Sequence, residues 1–210
     1  MAANLLTHIP MTALQTVSGN TPLTLSIAEK ASQTFPAGMP VQLSAGFVQK
    51  WDGTTYNAGL LGIANIMASN LASNGLGAPA PFQQIGGTGA IQSWGSVPNQ
   101  PSGINLSIGT PITDGRTLLY AAQSDTIFEG QWDNSAGAVA ADYTPTQANV
   151  GLVYGMTIDA NGLSAYVDAG KVTVGTNTCV QVVGLSPVDG AIVNGRVRFI
   201  FTQAAMQVPV

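Results

Sequence analysis

Side chains that could carry out acid–base or nucleophilic chemistry are scarce in this sequence. His8 is the only histidine among 210 residues, so any Ser-His-Asp site would have to include it. It lies in a segment that we expect to be mobile in the free chain, and no Gly-x-Ser-x-Gly turn occurs to expose a nucleophilic serine. We therefore predict that His8 is hydrogen-bonded or faces solvent, that the chain has no catalytic residues, and that it is not an enzyme.

Acidic residues offer a second kind of site. Asp125, Glu129 and Asp133 follow one another at intervals of four residues, and several carboxylate oxygens together are what Ca²⁺ prefers as ligands. On a strand, however, that spacing separates successive carboxylates by about 13 Å. We predict a solvent-facing strand surface here and no metal site.

Glycine-rich turns and the single cysteine are the remaining candidates. The run Gly86–Gly89 begins like a dinucleotide-binding loop, but Gln92 stands where the third glycine belongs. Lys171 follows a glycine without the Ser or Thr of a phosphate-binding loop, which predicts a turn with this lysine in solvent. Cys179 lies in an apolar run and is expected to be buried. We predict no cofactor.

Most of the chain has the pattern of β-strands. Short apolar runs alternate with turn residues, and the dipeptides Asp52-Gly53 and Asn161-Gly162 are typical of hairpin turns. In residues 125–133 the acids and amides share one parity, whereas Phe128 and Trp132 share the other, as in a half-buried strand. The pattern predicts an all-β fold with a β-barrel or β-sandwich body. The predicted strands are 39–43, 46–51, 60–64, 117–122, 125–133, 150–158, 164–167, 171–174, 179–185 and 196–202.

Charged residues are distributed unevenly along the chain. Only 8% of residues are charged, compared with about 25% in an average soluble domain, and none lies in residues 1–28 or 53–113. Residues 1–28 are predicted to be an extended arm, and residues 75–113 a long Gly/Pro-rich insertion, for which a second domain or a fibre-like attachment are the alternatives. Residues 29–74 then form a first β unit with a short helix, and residues 114–210 form the main β body, with which that unit can be continuous.

Composition also excludes some classes of partner. The net charge of −4 and a pI near 4.5 argue against nucleic-acid binding, which requires clustered Lys and Arg. The longest apolar stretch, residues 58–68, is too short to span a membrane. No Lys or Arg precedes Lys30, as one would in a signal peptide. We predict a protein that binds neither nucleic acid nor membranes.

Uncharged apolar segments of this kind suit permanent protein–protein interfaces, whose centres are depleted in charge. The two arginines of the last strand share one face; they either pair with carboxylates of this or another chain or, as we favour, form the polar side of an edge strand. The candidate interface residues are Leu5, Leu6, Ile9 and Met11 in the arm, Phe82, Ile85 and Trp94 in the insertion, and Arg196 and Arg198.

Two stretches of the sequence resemble phage virion proteins. Phe35-Pro-Ala-Gly-Met-Pro-Val-Gln-Leu, Gly46-Phe-Val and Gly59-Leu-Leu-Gly-Ile-Ala resemble the opening β unit of tailed-bacteriophage capsid decoration (cement) proteins. Tyr166-Val-Asp, residues 182–189 and residues 194–201 resemble the closing strands of phage virion proteins of similar size. The resemblance implies a small β-rich body, often trimeric, that sits at threefold or quasi-threefold positions on the outer shell and bridges major capsid protein subunits.

Two functions of different classes follow. The favoured one is a non-enzymatic virion structural protein, a homotrimer made in the host cytoplasm, which stabilises the shell from its outer surface by binding the major capsid protein. Deleting residues 1–22 is then expected to weaken capsid binding. The alternative is a carbohydrate-binding adhesin or spike module that uses Trp51, Tyr56 or Trp94 as a stacking surface for sugars.

Overall fold

The computed structural model describes residues 8–30, 33, 35–66, 68 and 116–207. Its regular elements in this part of the chain are almost all strands, joined by turns and two short 3₁₀ helices at Ala140–Tyr143 and Gln147–Asn149. The strands are β1 (Thr12–Thr16), β2 (Thr24–Ala28), β3 (Pro40–Ser44), β4 (Phe47–Lys50), β5 (Gly62–Ala64), β6 (Arg116–Ala121), β7 (Thr126–Asp133), β8 (Val153–Ile158), β9 (Ala165–Asp168), β10 (Val180–Leu185) and β11 (Arg196–Phe201).

Five of these strands close into a barrel. They follow the order β7-β11-β10-β8-β9, and β9 returns to pair with the end of β7 in parallel, whereas the other neighbours are antiparallel. Alternation along β11 explains why it forms a wall of the barrel: Val197, Phe199 and Phe201 are buried, and the residues between them are half-buried. The rings of Phe199 and Phe201 both contact Phe128 of β7, with centroids 5.8 Å and 5.1 Å away.

The remaining strands form a second sheet, in the order β2-β6-β5-β3-β4. Beyond the end of β2, Glu29 forms a parallel bridge to Val48 of β4, so the two outer strands of this sheet also approach each other. The cores of the barrel and of the second sheet are continuous, since Trp51, Met39 and Phe128 belong to one buried cluster. The prediction of an all-β fold with a barrel body is confirmed.

The arm is extended, but its described part pairs with its own chain. β1 lies antiparallel to the first half of β7, and β2 lies antiparallel to β6. Residues 8–28 are therefore components of both sheets, although we expected an arm that packs on another molecule. Residues 75–113, the predicted insertion, lie outside the described residues.

Several local predictions were wrong. The first hairpin turns at Ala45 and Gly46, whose φ angles are +51° and +86°, whereas Asp52 makes a local turn because its carboxylate accepts the N–H groups of Thr54 and Thr55. Residues 171–174 form no strand: residues 171–173 are irregular, and a turn follows in which the N–H groups of Thr176 and Asn177 donate to Thr173 O. The first β unit ends in a strand through Ala64 and a bend at Asn65 and Ile66, and residues 67 and 69–73 of the helix predicted over 64–73 lie outside the described part.

Candidate functional site

His8 anchors the arm to the barrel. Its side chain is 5% exposed, Nε2 lies 2.8 Å from Asp133 Oδ2, and Nδ1 lies 2.6 Å from Asp159 Oδ1. The contact with Asp159 has the distance of an ion pair but not the angle of a hydrogen bond. The imidazole also stacks on Tyr166, with centroids 4.4 Å apart. Each ring nitrogen of His8 faces a carboxylate, and neither faces a hydroxyl, so this side chain holds the arm against the barrel. The hydrogen bond to Asp133 agrees with the expectation that His8 is hydrogen-bonded.

The carboxylates around this anchor are held by their own neighbours. Asp133 Oδ1 accepts the N–H of Asn134 at 2.7 Å, and Asp159 accepts the hydroxyl of Ser164. Asp168, paired in register with Asp133, is fully buried and accepts the hydroxyl of Thr157 at 2.5 Å. Among the described residues no group of three or more His, Cys, Asp or Glu is placed to hold a metal ion.

Arg196 joins two strands and a loop. Its Nε donates to both carboxylate oxygens of Asp189, at 3.0 and 2.9 Å, and its terminal nitrogen lies 2.5 Å from Glu129 Oε1. Arg198 Nε lies 3.7 Å from the other oxygen of Glu129 without a hydrogen bond. β11 is a central strand between β7 and β10, so the edge-strand interpretation of the two arginines was wrong and pairing with carboxylates of the same chain is observed. At Glu129 the polar face of β7 is therefore ion-paired and largely buried, whereas we predicted that this face would lie in solvent.

Two neighbouring loops at one end of the barrel expose apolar side chains. We call residues 137–143 and 186–195 the apical loops; they are joined by a hydrogen bond from Asn194 N to Tyr143 O at 2.8 Å. Val188 is 81% exposed, Ile192 58% and Val193 50%. Val139 on the other loop is exposed to a similar degree. Loops such as 186–195 are usually polar. Its apolar residues Val188, Ile192 and Val193 were therefore a sign of an exposed apolar surface that the sequence prediction did not use.

Each apical loop contains one charged residue, and both of these carboxylates are turned onto the chain itself. Asp142 Oδ2 accepts the N–H groups of Ala138 and Val139 at 2.8 and 3.1 Å, which lowers the pKa of its carboxyl. Desolvation opposes ionisation of Asp189, but hydrogen bonds led by that from Arg196 outweigh it and hold the pKa of Asp189 below its usual range. Both carboxylates are therefore hydrogen-bonded within the chain, and the exposed side chains Val139, Val188, Ile192 and Val193 of the loops are apolar.

A cleft of about 400 Å³ opens beside the apical loops. Its described lining residues are Asp133 and Asn134 at the end of β7 and Tyr143 and Asn194 on the loops. A second cleft, of about 250 Å³, is lined by Gln123, Ser124, Asp125 and Met206.

Two of the three aromatic residues considered for sugar stacking, Trp51 and Tyr56, are inside the protein. Trp51 is fully buried, donates its indole N–H to Thr55 O at 2.8 Å, and meets Tyr56 edge to face.

Lys171 Nζ lies 2.5 Å from the Tyr56 hydroxyl and 5.2 Å from its ring centroid, so the expectation of a solvent-facing lysine was wrong. Desolvation lowers the pKa of Lys171 and raises that of the fully buried Cys179 thiol.

The predicted interface residues fall in different places. Ile9 is exposed, and its N–H donates to Gln131 Oε1 at 2.8 Å. Met11 is buried in the chain's own core, beside Gly130 of β7. Leu5, Leu6, Phe82, Ile85 and Trp94 lie outside the described residues.

The sequence matches no protein-family model, and comparisons with curated proteins and with solved structures found no similar chain. No helix in the described part of the chain is long and apolar enough to cross a membrane.

Proposed function

We propose that this protein is a non-enzymatic structural component of a phage virion, which binds the outer capsid surface as a homotrimer and stabilises the shell by bridging major capsid protein subunits. The observation that carries the proposal is the apolar outer surface of the apical loops, whose two carboxylates are both used internally. Moving a surface of this kind from water into a contact with another protein costs little desolvation free energy, and the burial of its apolar side chains stabilises the complex. The sequence resemblance to decoration proteins supplies the identity of the partner.

The size of the apolar surface favours several copies acting together. Full burial of a Val or Ile side chain contributes about 1.5–3 kcal/mol, so Val188, Ile192 and Val193, each at least half exposed, supply roughly 3–5 kcal/mol per copy. Association costs about 4–15 kcal/mol in lost translational and rotational freedom. A single copy would therefore bind weakly, whereas a trimer gains from high effective concentration. Binding only to the assembled shell then stabilises that state by mass action.

The test is co-sedimentation of the purified protein with expanded, undecorated capsids. Wild-type protein should bind at a saturable stoichiometry, and Val188→Ser together with Ile192→Ser should weaken binding. The matched control is Val17→Ser, which is also exposed but follows β1, where Thr16 pairs with Thr126 at the opposite end of β7. Absence of saturable binding by wild-type protein would refute the proposed function; equal loss in the control would refute the role of the apical loops.

The adhesin alternative gains no support from the described residues. A sugar-stacking ring needs an exposed face, but Trp51 is fully buried and Tyr56 is 7% exposed. Trp94 lies outside the described residues.

A further inference from the structure

His8 lies between two carboxylates that come from different strands. Its Nε2 lies 2.8 Å from Asp133 Oδ2 at the end of β7, and its Nδ1 lies 2.6 Å from Asp159 Oδ1, directly after β8. The three side chains are 5%, 14% and 10% exposed, so salt screens their charges little. Among the described residues no Lys or Arg lies within ion-pair distance of either carboxylate, which leaves His8 as their cation.

The two contacts together require the charged form of the ring. A neutral imidazole has one N–H and one lone pair, whereas an imidazolium has two N–H groups. In the neutral form one ring nitrogen would direct its lone pair at a carboxylate oxygen. At Nδ1 that oxygen is 2.6 Å away, and this buried nitrogen has no hydrogen-bond partner in the described part of the chain. A neutral ring can therefore hold only one of the two carboxylates.

The other groups around the ring do not replace its charge. Tyr166 of β9 stacks on the imidazole, with centroids 4.4 Å apart, and an aromatic face favours a cation. Burial, followed by the negative charge of Asp168, raises the pKa of the Tyr166 hydroxyl, so this group stays uncharged at neutral pH. Lys50 reaches the turn that follows β8, where its Nζ donates to Gly162 O at 3.4 Å and not to a carboxylate.

The segment held by His8 has few other attachments. Residues 8–11 precede β1 and belong to no strand. Apart from His8, the contacts that hold them are the hydrogen bond from Ile9 N–H to Gln131 Oε1, at 2.8 Å, and the burial of Met11. Loss of one His8 contact therefore acts on a short part of the arm that backbone pairing does not secure.

We propose that His8 is a pH-sensitive latch for residues 8–11, which the imidazolium form closes and the neutral form weakens. Histidine is the side chain whose charge ordinarily changes between about pH 5 and pH 8. At the lower end of this range the ring is charged and both carboxylates hold it. As the pH rises the ring loses its proton, one of the two contacts becomes repulsive, and the end of the arm leaves the barrel more often.

The first test follows the charge of the ring and the surroundings of the arm in one sample. His8 is the only histidine in the sequence, so its ring ¹⁵N signals need no assignment. Between about pH 5 and pH 9, the backbone amide signal of Ile9 should shift with the same midpoint as the ring signals, and that of Val188 should not follow them. A ring that keeps one charge state over this range, or an Ile9 signal that stays unchanged while the ring titrates, would overturn the proposal.

The second test measures how often the arm opens. His8→Gln keeps a hydrogen-bonding side chain that cannot become charged. At about pH 5.5 the amide hydrogen of Ile9 should exchange with solvent roughly tenfold faster in this variant than in wild type, the effect of losing one charge-assisted contact. At about pH 8.5 the two rates should differ by less than about threefold. Comparison at the same pH removes the intrinsic pH dependence of exchange, so an equal ratio at both pH values would refute the switch and leave His8 a purely structural role.

The second carboxylate has its own variant. Asp159→Asn removes the charge that faces Nδ1 and should exchange at Ile9 as fast as His8→Gln at about pH 5.5; a wild-type rate would refute the two-carboxylate latch. Asp125→Asn is the matched control, because Asp125 is exposed and forms no ion pair in the described part of the chain. Unchanged amide signals of β11 show that the barrel stays folded in each variant. All of these measurements use the isolated protein, so this inference and the proposed function fail separately.

Discussion

The substitution Met11→Ala measures how firmly the arm belongs to the barrel. Met11 is 2% exposed, and its side chain lies beside Gly130 of β7, a glycine that Phe199 of β11 also approaches. Truncation of a buried Met to Ala costs about 2–5 kcal/mol, depending on how far the surroundings close over the cavity. Strands on both sides of this site belong to a closed barrel and have little freedom to move, so we expect about 3 kcal/mol.

Urea unfolding followed by tryptophan fluorescence is a suitable assay. Trp132 is buried in the barrel and Trp51 beside the second sheet, so the two report on both parts of the core. For a chain of this length the expected loss corresponds to a melting temperature lower by roughly 6–12 °C. The matched control is Leu14→Ala on the same strand, whose side chain is 40% exposed; it should cost less than about 1 kcal/mol.

The result that refutes this reasoning is a Met11→Ala variant within about 0.5 kcal/mol of wild type, which is the scatter of ordinary surface substitutions. The arm would then contribute nothing to the stability of the barrel. An equal loss in Leu14→Ala would instead assign the effect to strand pairing in general, and the burial of Met11 would not be its cause.

Three further predictions concern the apical loop and the buried thiol. Gly195→Ala should lower stability by roughly 1–3 kcal/mol in thermal melts because its Cβ would lie 2.1 Å from Asp189 O, whereas Gly184→Ala, with nothing within 4 Å, should be nearly neutral. Because the pKa of Asp189 is held below its usual range, its stabilising contribution is present above about pH 4 and lost as the pH falls further. Asp189→Asn should therefore lose less stability than wild type between about pH 5 and pH 2; equal losses would contradict the assignment. Burial raises the pKa of Cys179 and removes its thiolate, so a thiol reagent should label the protein in urea and not in the native state; rapid native labelling would be the contrary result.

The two-residue alternation of apolar and polar side chains, together with the turn residues, predicted the strands that pack on the core. The alternation in residues 125–133 predicted that Phe128 and Trp132 face inward, and both are buried in β7. The Asn161 and Gly162 turn joins β8 to β9 as predicted. These signals are local, since side chains alternate between the two faces of any strand that has one buried side.

The arm and the anchor could not be predicted in the same way. β1 has no clear period because most of its side chains are exposed, and what places it is backbone pairing with β7. His8 and Asp133 are 125 residues apart in sequence, and only closure of the barrel brings them together. The pairing of Arg196 with carboxylates was the less favoured of two alternatives for a related reason: an edge strand and a central strand have the same polar alternation until their neighbours are known.

Placement of the arm in the barrel changes how its role in capsid binding has to be tested. Deleting residues 1–22 would remove β1 together with His8 and Met11, so weaker binding would follow from loss of the fold whether or not the arm touches the capsid. Ile9→Ser avoids this difficulty, because Ile9 is 45% exposed on the arm and its substitution leaves β1, His8 and Met11 in place. If that variant binds capsids like wild type while Val188→Ser with Ile192→Ser does not, docking resides in the apical loops. If Ile9→Ser loses binding and the loop variant keeps it, the arm is the contact surface and the apolar loops need another explanation.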